Sequence, residues 1–101
     1  MRAIILVTGK VQGIGFRNFI RYTGKYGNLK GLVRNLVNGK VEIFAEGEEK
    51  DIHMLVANIK ATKHPGALIE NVELFLEGEL GYKDAWKDYK DKFTIDDKWG
   101  E

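Results

Sequence analysis

The chain has no cysteine, a single proline, two methionines and almost no net charge. Without cysteine, disulfide scaffolds, thiolate nucleophiles and cysteine-built zinc sites are all excluded, so the fold must stand on packing alone. Sixteen basic residues against fifteen acidic ones leave a net charge of +1. That is too little for a general attraction to nucleic acid or an anionic membrane, and any anion site must be local. Long apolar runs are missing too. The opening stretch is apolar only from Ala3 to Val7 before Thr8 and Gly9, short for a secretory core and far short of a membrane span. A cytoplasmic protein with no membrane partner is expected. With 101 residues, 44% of them hydrophobic, the chain has the size of one domain over 1–101, and a monomer is expected.

What is present divides into short segments. Ala3 to Thr8 is apolar and β-branched, the composition of a strand covered on much of both faces. Gly9-Lys10-Val11-Gln12-Gly13-Ile14-Gly15 then breaks regular structure with three glycines in seven residues. Phe16, Phe19, Ile20 and Thr23 recur at helical spacing, and Gly27-Asn28 can close that helix in the left-handed conformation. Leu29 to Leu36 and Lys40 to Glu46 read as two strands joined by Val37-Asn38-Gly39, a strong hairpin signal. Ile52, Leu55, Val56 and Ile59 make one apolar stripe over Glu48 to Ala61, with Glu48, Glu49 and Asp51 where a helix dipole favours negative charge. His64-Pro65-Gly66 turns the chain. Val72, Leu74 and Leu76 alternate as a fourth strand, and Phe93-Thr94-Ile95 offers a short fifth. The order β-α-β-β-α-β predicts an α+β, ferredoxin-like split βαβ sandwich: an antiparallel sheet with two helices on one face and a short extra C-terminal strand.

The glycine loop is the first feature that reads as chemistry. Glycine lets successive backbone N–H groups approach an anion closely at the start of a helix. Arg17 follows in the first helical turn, where its guanidinium can add a charge-assisted fork to phosphate oxygens. The loop lacks both the Gly-Lys-Ser/Thr ending of a nucleotide P-loop and the Gly-x-Gly-x-x-Gly spacing of a dinucleotide fold. Its composition alone fits equally well a tight strand-to-helix turn with Arg17 as a solvated charge.

Two stretches carry a family resemblance. Val7-Thr8-Gly9-Lys10-Val11-Gln12-Gly13-Ile14-Gly15-Phe16-Arg17 resembles the first acylphosphatase motif, with Ile14 where valine is usual. Gly31-Leu32-Val33-Arg34-Asn35-Leu36-Val37-Asn38-Gly39-Lys40-Val41, with Gly47 beyond it, resembles the second, with Leu32 where an aromatic is usual. The resemblance is dense over residues 3 to 47, looser through Pro65-Gly66, and returns in Tyr89-x-x-x-Phe93-x-Ile95. It implies the ferredoxin-like fold and hydrolysis of acyl phosphates to carboxylate and orthophosphate, with no cofactor and no metal. By the same resemblance Val11, Gln12, Gly13, Ile14 and Gly15 cradle the phosphate, Arg17 holds the phosphoryl group and Asn35 orients the attacking water. The residues agree with this chemistry: no general acid, nucleophile or metal cluster sits near the loop, and a carboxylate leaving group needs no proton at neutral pH. The alternative is a non-catalytic module of the same family that binds a phosphorylated or carbamoylated ligand.

The remaining polar residues read as scaffold. Asn35 alone would be an ordinary residue before a turn, and Arg34 and Lys10 are solvent-facing charges. His53 and His64 have no third ligand at a metal-binding spacing. Tyr82, Trp86, Tyr89 and Phe93 recur among lysines in a way that suggests stacking on single-stranded nucleic acid, but Asp84, Asp88 and Asp91 cancel the charge, and a packed connection is expected. A ferredoxin-like RNA-binding domain would carry a basic, aromatic sheet face that this sequence lacks. A gel-shift titration with single-stranded RNA is therefore expected to give no salt-dependent complex, and a shift at moderate salt would reverse that exclusion.

Overall fold

In a computed structural model, whose described residues are 1–83, 92–98 and 100, the apolar opening segment forms β1, Arg2–Lys10. It lies between β3 (Val41–Glu46) and β4 (Leu68–Leu76), antiparallel to both. β1 is therefore hydrogen-bonded along both edges, which explains its run of β-branched residues. Helix α1 (Phe16–Tyr26) leads from β1 to β2 (Lys30–Asn35), and α2 (Glu49–Lys60) leads from β3 to β4. The strand order is β4-β1-β3-β2-β5. Each βαβ crossover thus spans one intervening antiparallel strand, the split arrangement that the order of elements predicts. β5 (Phe93–Ile95) adds itself to the far side of β2 in parallel, Gly31 opposite Phe93 and Val33 opposite Ile95, which makes the sheet mixed.

Side-chain alternation sorts the strands into two faces. Ala3, Ile5, Val7, Val33, Val41 and Ile43 are fully buried against Phe16 and Ile20 of α1 and Ile52, Leu55, Val56 and Ile59 of α2. Both helices hence cover one face. The opposite face holds a smaller cluster of Ile4, Leu32 and Phe44, with Leu6, Phe75 and Tyr82 packed on it. Of the aromatic stripe noted in the sequence, Tyr82 joins this second cluster and Phe93 the main core; Trp86 and Tyr89 lie outside the described residues. Among the described residues no helix is long and apolar enough to cross a membrane.

The element ends follow local chemistry. α1 closes at Gly27 and Asn28, the latter with φ 64°, and the Leu29 N–H bonds back to the Gly24 carbonyl at 3.0 Å. The β2–β3 turn is closed from Lys40 N–H to Asn38 Oδ1 at 3.0 Å and from Leu36 N–H to the Lys40 carbonyl at 2.8 Å. β4 starts at Leu68, four positions before the alternation Val72-Leu74-Leu76 becomes visible. A bulge between Thr8 and Gly9 shifts the register there, so Gly9 pairs Ile69 and Lys10 pairs Leu68. On this open edge Leu68, Glu70 and Asn71 are exposed, which erases the alternation.

β5 is positioned by one close approach. A Cβ placed on Gly24 would sit 2.5 Å from Cε2 of the buried Phe93 ring. Gly24→Ala normally gains about 1 kcal/mol of helix propensity, but overpacking a buried ring costs ~1–3 kcal/mol. A net loss of ~1–2 kcal/mol in a urea-unfolding midpoint is expected; unchanged or raised stability would refute the contact.

Candidate active site

The site begins where β1 ends. Gly13 and Gly15 hold φ of 76° and 75°, a left-handed conformation that costs an L-residue roughly 1–2 kcal/mol. With both in place, the chain wraps tightly and enters α1 with Gly15 as its N-cap. No side chain caps this helix and no acidic residue occupies its first turn. Its leading N–H groups are the unsatisfied donors that every helix start presents, with the positive end of the dipole behind them. α2 is built oppositely, with Glu49 and Asp51 in its first turn. Of these two helices, α1 alone leaves its amino end without an acidic side chain.

Val11, Gly13, Gly15 and Arg17 line a cleft of about 190 Å³, with Ile95 and Asp97 as its outer wall. This is below the ~300 Å³ of a typical drug-sized site and suits a compact group. Among the described residues the guanidinium of Arg17 has one long ionic contact, Nη1 to Oδ1 of the exposed Asp97 at 3.7 Å. An exposed pair at that distance is weak, and it leaves the guanidinium fork available to an anion. Ile95 and Asp97 also border a wider groove of about 850 Å³, flanked by Arg21, Lys25 and Lys92.

Of the five loop residues expected to cradle phosphate, Val11, Gly13 and Gly15 line the cleft, and the side chains of Gln12 and Ile14 are engaged elsewhere. The Gln12 amide donates to the Leu36 carbonyl at 2.8 Å and to the Lys40 carbonyl at 2.9 Å, the two ends of the β2–β3 turn. Ile14 packs against the main core, and its carbonyl accepts from His64 Nε2 at 2.7 Å. These two residues bring the loop backbone into place.

Asn35 ends β2 on the helix-covered face shared with Val33, one residue before the carbonyl that Gln12 grips. It is only 4% exposed, and its Oδ1 has no hydrogen-bond partner among the described residues. A buried acceptor left unpaired costs about 1–3 kcal/mol, so it calls for a ligand or a water. Asn35 does not itself line the cleft; Gln12 is what joins its hairpin to the loop that does. Arg34 is tied to Glu42 across the strands at 2.9 Å and Lys10 is exposed, so both remain scaffold charges. His53 contacts Glu49 at 3.4 Å on the exposed face of α2. Asp97 and His64 reach the site only through tertiary structure, and no local pattern in the sequence marks either one.

The family model described as acylphosphatase matches residues 3–93. The chain is 40% identical over 73 residues to the acylphosphatase of Listeria monocytogenes serotype 4b, covering 72% of this chain and 78% of that one. The crystal structure of acylphosphatase from Bacillus subtilis superposes with a TM-score of 0.73 at 31% identity, over 93% of this chain and 96% of that one. A 74-residue stretch is also 40% identical to the probable carbamoyltransferase HypF of Methanocaldococcus jannaschii, over 73% of this chain and 10% of that protein.

Asp97 puts a negative charge on the wall of an anion-sized cleft, facing the cation that would bind the anion. Asp97→Asn is expected to tighten inorganic phosphate binding by about two- to fivefold at low ionic strength, the difference shrinking as salt is raised. Calorimetric titration at two salt concentrations checks this, and unchanged or weaker binding would exclude Asp97 as a competitor for Arg17.

Proposed function

The chain belongs to the acylphosphatase family of enzymes, and on that premise we propose that it acts as a single domain in which Arg17 and the 11–15 loop hold the phosphoryl group of an acyl phosphate while Asn35 orients the attacking water. The observation that carries this reading is the uncapped, acid-free amino end of α1 with Arg17 in its first turn. That helix end and Arg17 both border one small cleft, the setting in which backbone donors and a guanidinium fork can act together on an anion.

The reaction then needs little more than positioning. The acyl phosphate brings three phosphoryl oxygens whose charge the N–H groups and Arg17 offset as the phosphorus–carboxylate oxygen bond lengthens. Asn35 Oδ1 accepts a hydrogen from water, which turns an oxygen lone pair of that water toward phosphorus. A phosphorus–oxygen bond forms to water as the bond to the carboxylate breaks; the carboxylate departs without a proton, and the water's proton passes to a phosphoryl oxygen or to solvent. Because the leaving group is stable as an anion, no general acid or metal ion is required of the site. A phosphate monoester, whose alkoxide must be protonated, is a poor substrate for such an arrangement.

The likeness to one tenth of a probable carbamoyltransferase supports a second reading, in which the same cradle holds a phosphorylated or carbamoylated ligand without rapid turnover. Benzoyl phosphate hydrolysis in the presence of chelator separates the two. Chelator-resistant turnover, competitively inhibited by phosphate, is expected. Arg17→Ala should raise KM and the phosphate inhibition constant by about tenfold or more, and Asn35→Ala should lower kcat by about 10²-fold with KM little changed. Phosphate binding without turnover in the wild type would favour the binding module, and full activity in both variants would refute the residue roles.

A further inference from the structure

His64 lies in the turn between α2 and β4, 50 positions from the loop whose carbonyl it contacts. Its backbone is fixed at both ends: its N–H bonds to Thr62 Oγ1 at 3.1 Å and its carbonyl accepts from Ala67 N–H at 3.0 Å. Its ring is wedged beside Phe16 and Phe19 of α1, with centroid separations of 6.2 and 5.7 Å. Nε2 meets the Ile14 carbonyl at 2.7 Å, and since a carbonyl oxygen only accepts, Nε2 carries the hydrogen. The same turn also touches the loop from a second side, because a Cβ on Gly66 would rest 3.4 Å from Ile14 Cγ2. A half-buried imidazole with fixed backbone, fixed ring plane and one short bond to a glycine-flanked carbonyl is more constrained than chain reversal requires.

We propose that His64 is a positioning residue for the phosphate cradle, aiming the Gly15 N–H into the cleft by holding the Ile14 carbonyl. The argument rests on peptide planarity. In a trans peptide the carbonyl of one residue and the N–H of the next point in opposite directions. Fixing the Ile14 carbonyl on the His64 side therefore fixes the Gly15 N–H on the other side, and Gly15 is one of the residues lining the cleft. The loop needs such a brace because Gly13 and Gly15, which give it its shape, are also the residues that resist rotation of that peptide least. The inference depends on the reading of residues 11–15 as the phosphate cradle.

The test compares wild type with His64→Phe, which keeps a ring against Phe16 and Phe19 but removes the donor, and with His64→Gln, whose amide NH₂ can occupy the Nε2 position. Inorganic phosphate is the probe, followed by calorimetry and by the Gly15 amide resonance. In the wild type the Gly15 amide is expected to shift on phosphate addition, and ¹⁵N spectra in alkaline buffer to place the imidazole proton on Nε2. His64→Phe should weaken phosphate binding and raise KM for benzoyl phosphate about five- to tenfold while kcat changes less than about twofold, and His64→Gln should restore both constants to within about twofold. Phosphate affinity in His64→Phe equal to wild type, equal impairment in both variants, or a proton on Nδ1 in the wild type would overturn the role of His64 and leave the cradle intact. A wild-type Gly15 amide that ignores phosphate would overturn the cradle reading itself, and this role with it.

Discussion

One side-chain amide joins the two halves of the site. Gln12 stands in the glycine loop but spends both amide hydrogens on the carbonyls of Leu36 and Lys40, at 2.8 and 2.9 Å. Those carbonyls bound the turn after Asn35, so the loop that leads into Arg17 and the hairpin that carries Asn35 cannot drift independently. A shift of even 1 Å between an anion and its nucleophile is costly in rate. The sheet alone would not prevent it, because residues 11–15 lie beyond the last ladder pair of β1, Lys10 with Leu68. Leu36 N–H bonds to the same Lys40 carbonyl that Gln12 grips, so the clamp also stiffens the turn it holds.

The two helices start in opposite ways, and the difference is electrostatic. α2 has Glu49 and Asp51 over its own amino end, which settles the dipole locally. α1 has neither an acid nor a capping side chain, and it follows a loop whose conformation two positive-φ glycines maintain. The missing cap and acid cost helix stability, the glycines cost backbone entropy on folding, and the unpaired Oδ1 of Asn35 costs the desolvation of a buried acceptor. Their co-location at the loop and the hairpin it is clamped to is the pattern expected when local rules yield to a ligand. On the proposed reading, an anion that satisfied the orphan donors would return part of that cost as binding energy.

Much of this was legible in the sequence because it depends on short-range signals. The 3.6 spacing of Phe16, Ile20 and Thr23, the Asn38-Gly39 turn and the acidic start of α2 each fix an element from its own residues, and the order of those elements implies the split βαβ sheet. The early start of β4 was hidden because an edge strand past a bulge exposes Leu68 and loses its alternation. The parallel pairing of β5 was hidden because three residues carry too little pattern to declare a direction. Within the site, Arg17 and the glycines stand in one motif, so their neighbourhood could be read directly. The split of that motif into Val11, Gly13 and Gly15 facing the cleft and Gln12 and Ile14 turned toward their braces could not, since it depends on partners far along the chain.

The wall formed by Ile95 and Asp97 ties the last strand to this chemistry. Among the described residues β5 pairs with β2 alone and is seated by Phe93 against Gly24, so its place depends on the same helix that carries Arg17. Arg17 in the first turn of α1 lines the cleft, and Gly24 near the end of the same helix seats Phe93, two residues before Ile95 on the opposite wall. A rigid α-helix transmits a displacement along its length without absorbing it, whereas a loop would not. The packing of a glycine against a phenylalanine two turns from Arg17 thus belongs to the geometry of the cleft: if the ring moves, the wall bearing Asp97 moves relative to Arg17, and the charge across the cleft changes with it.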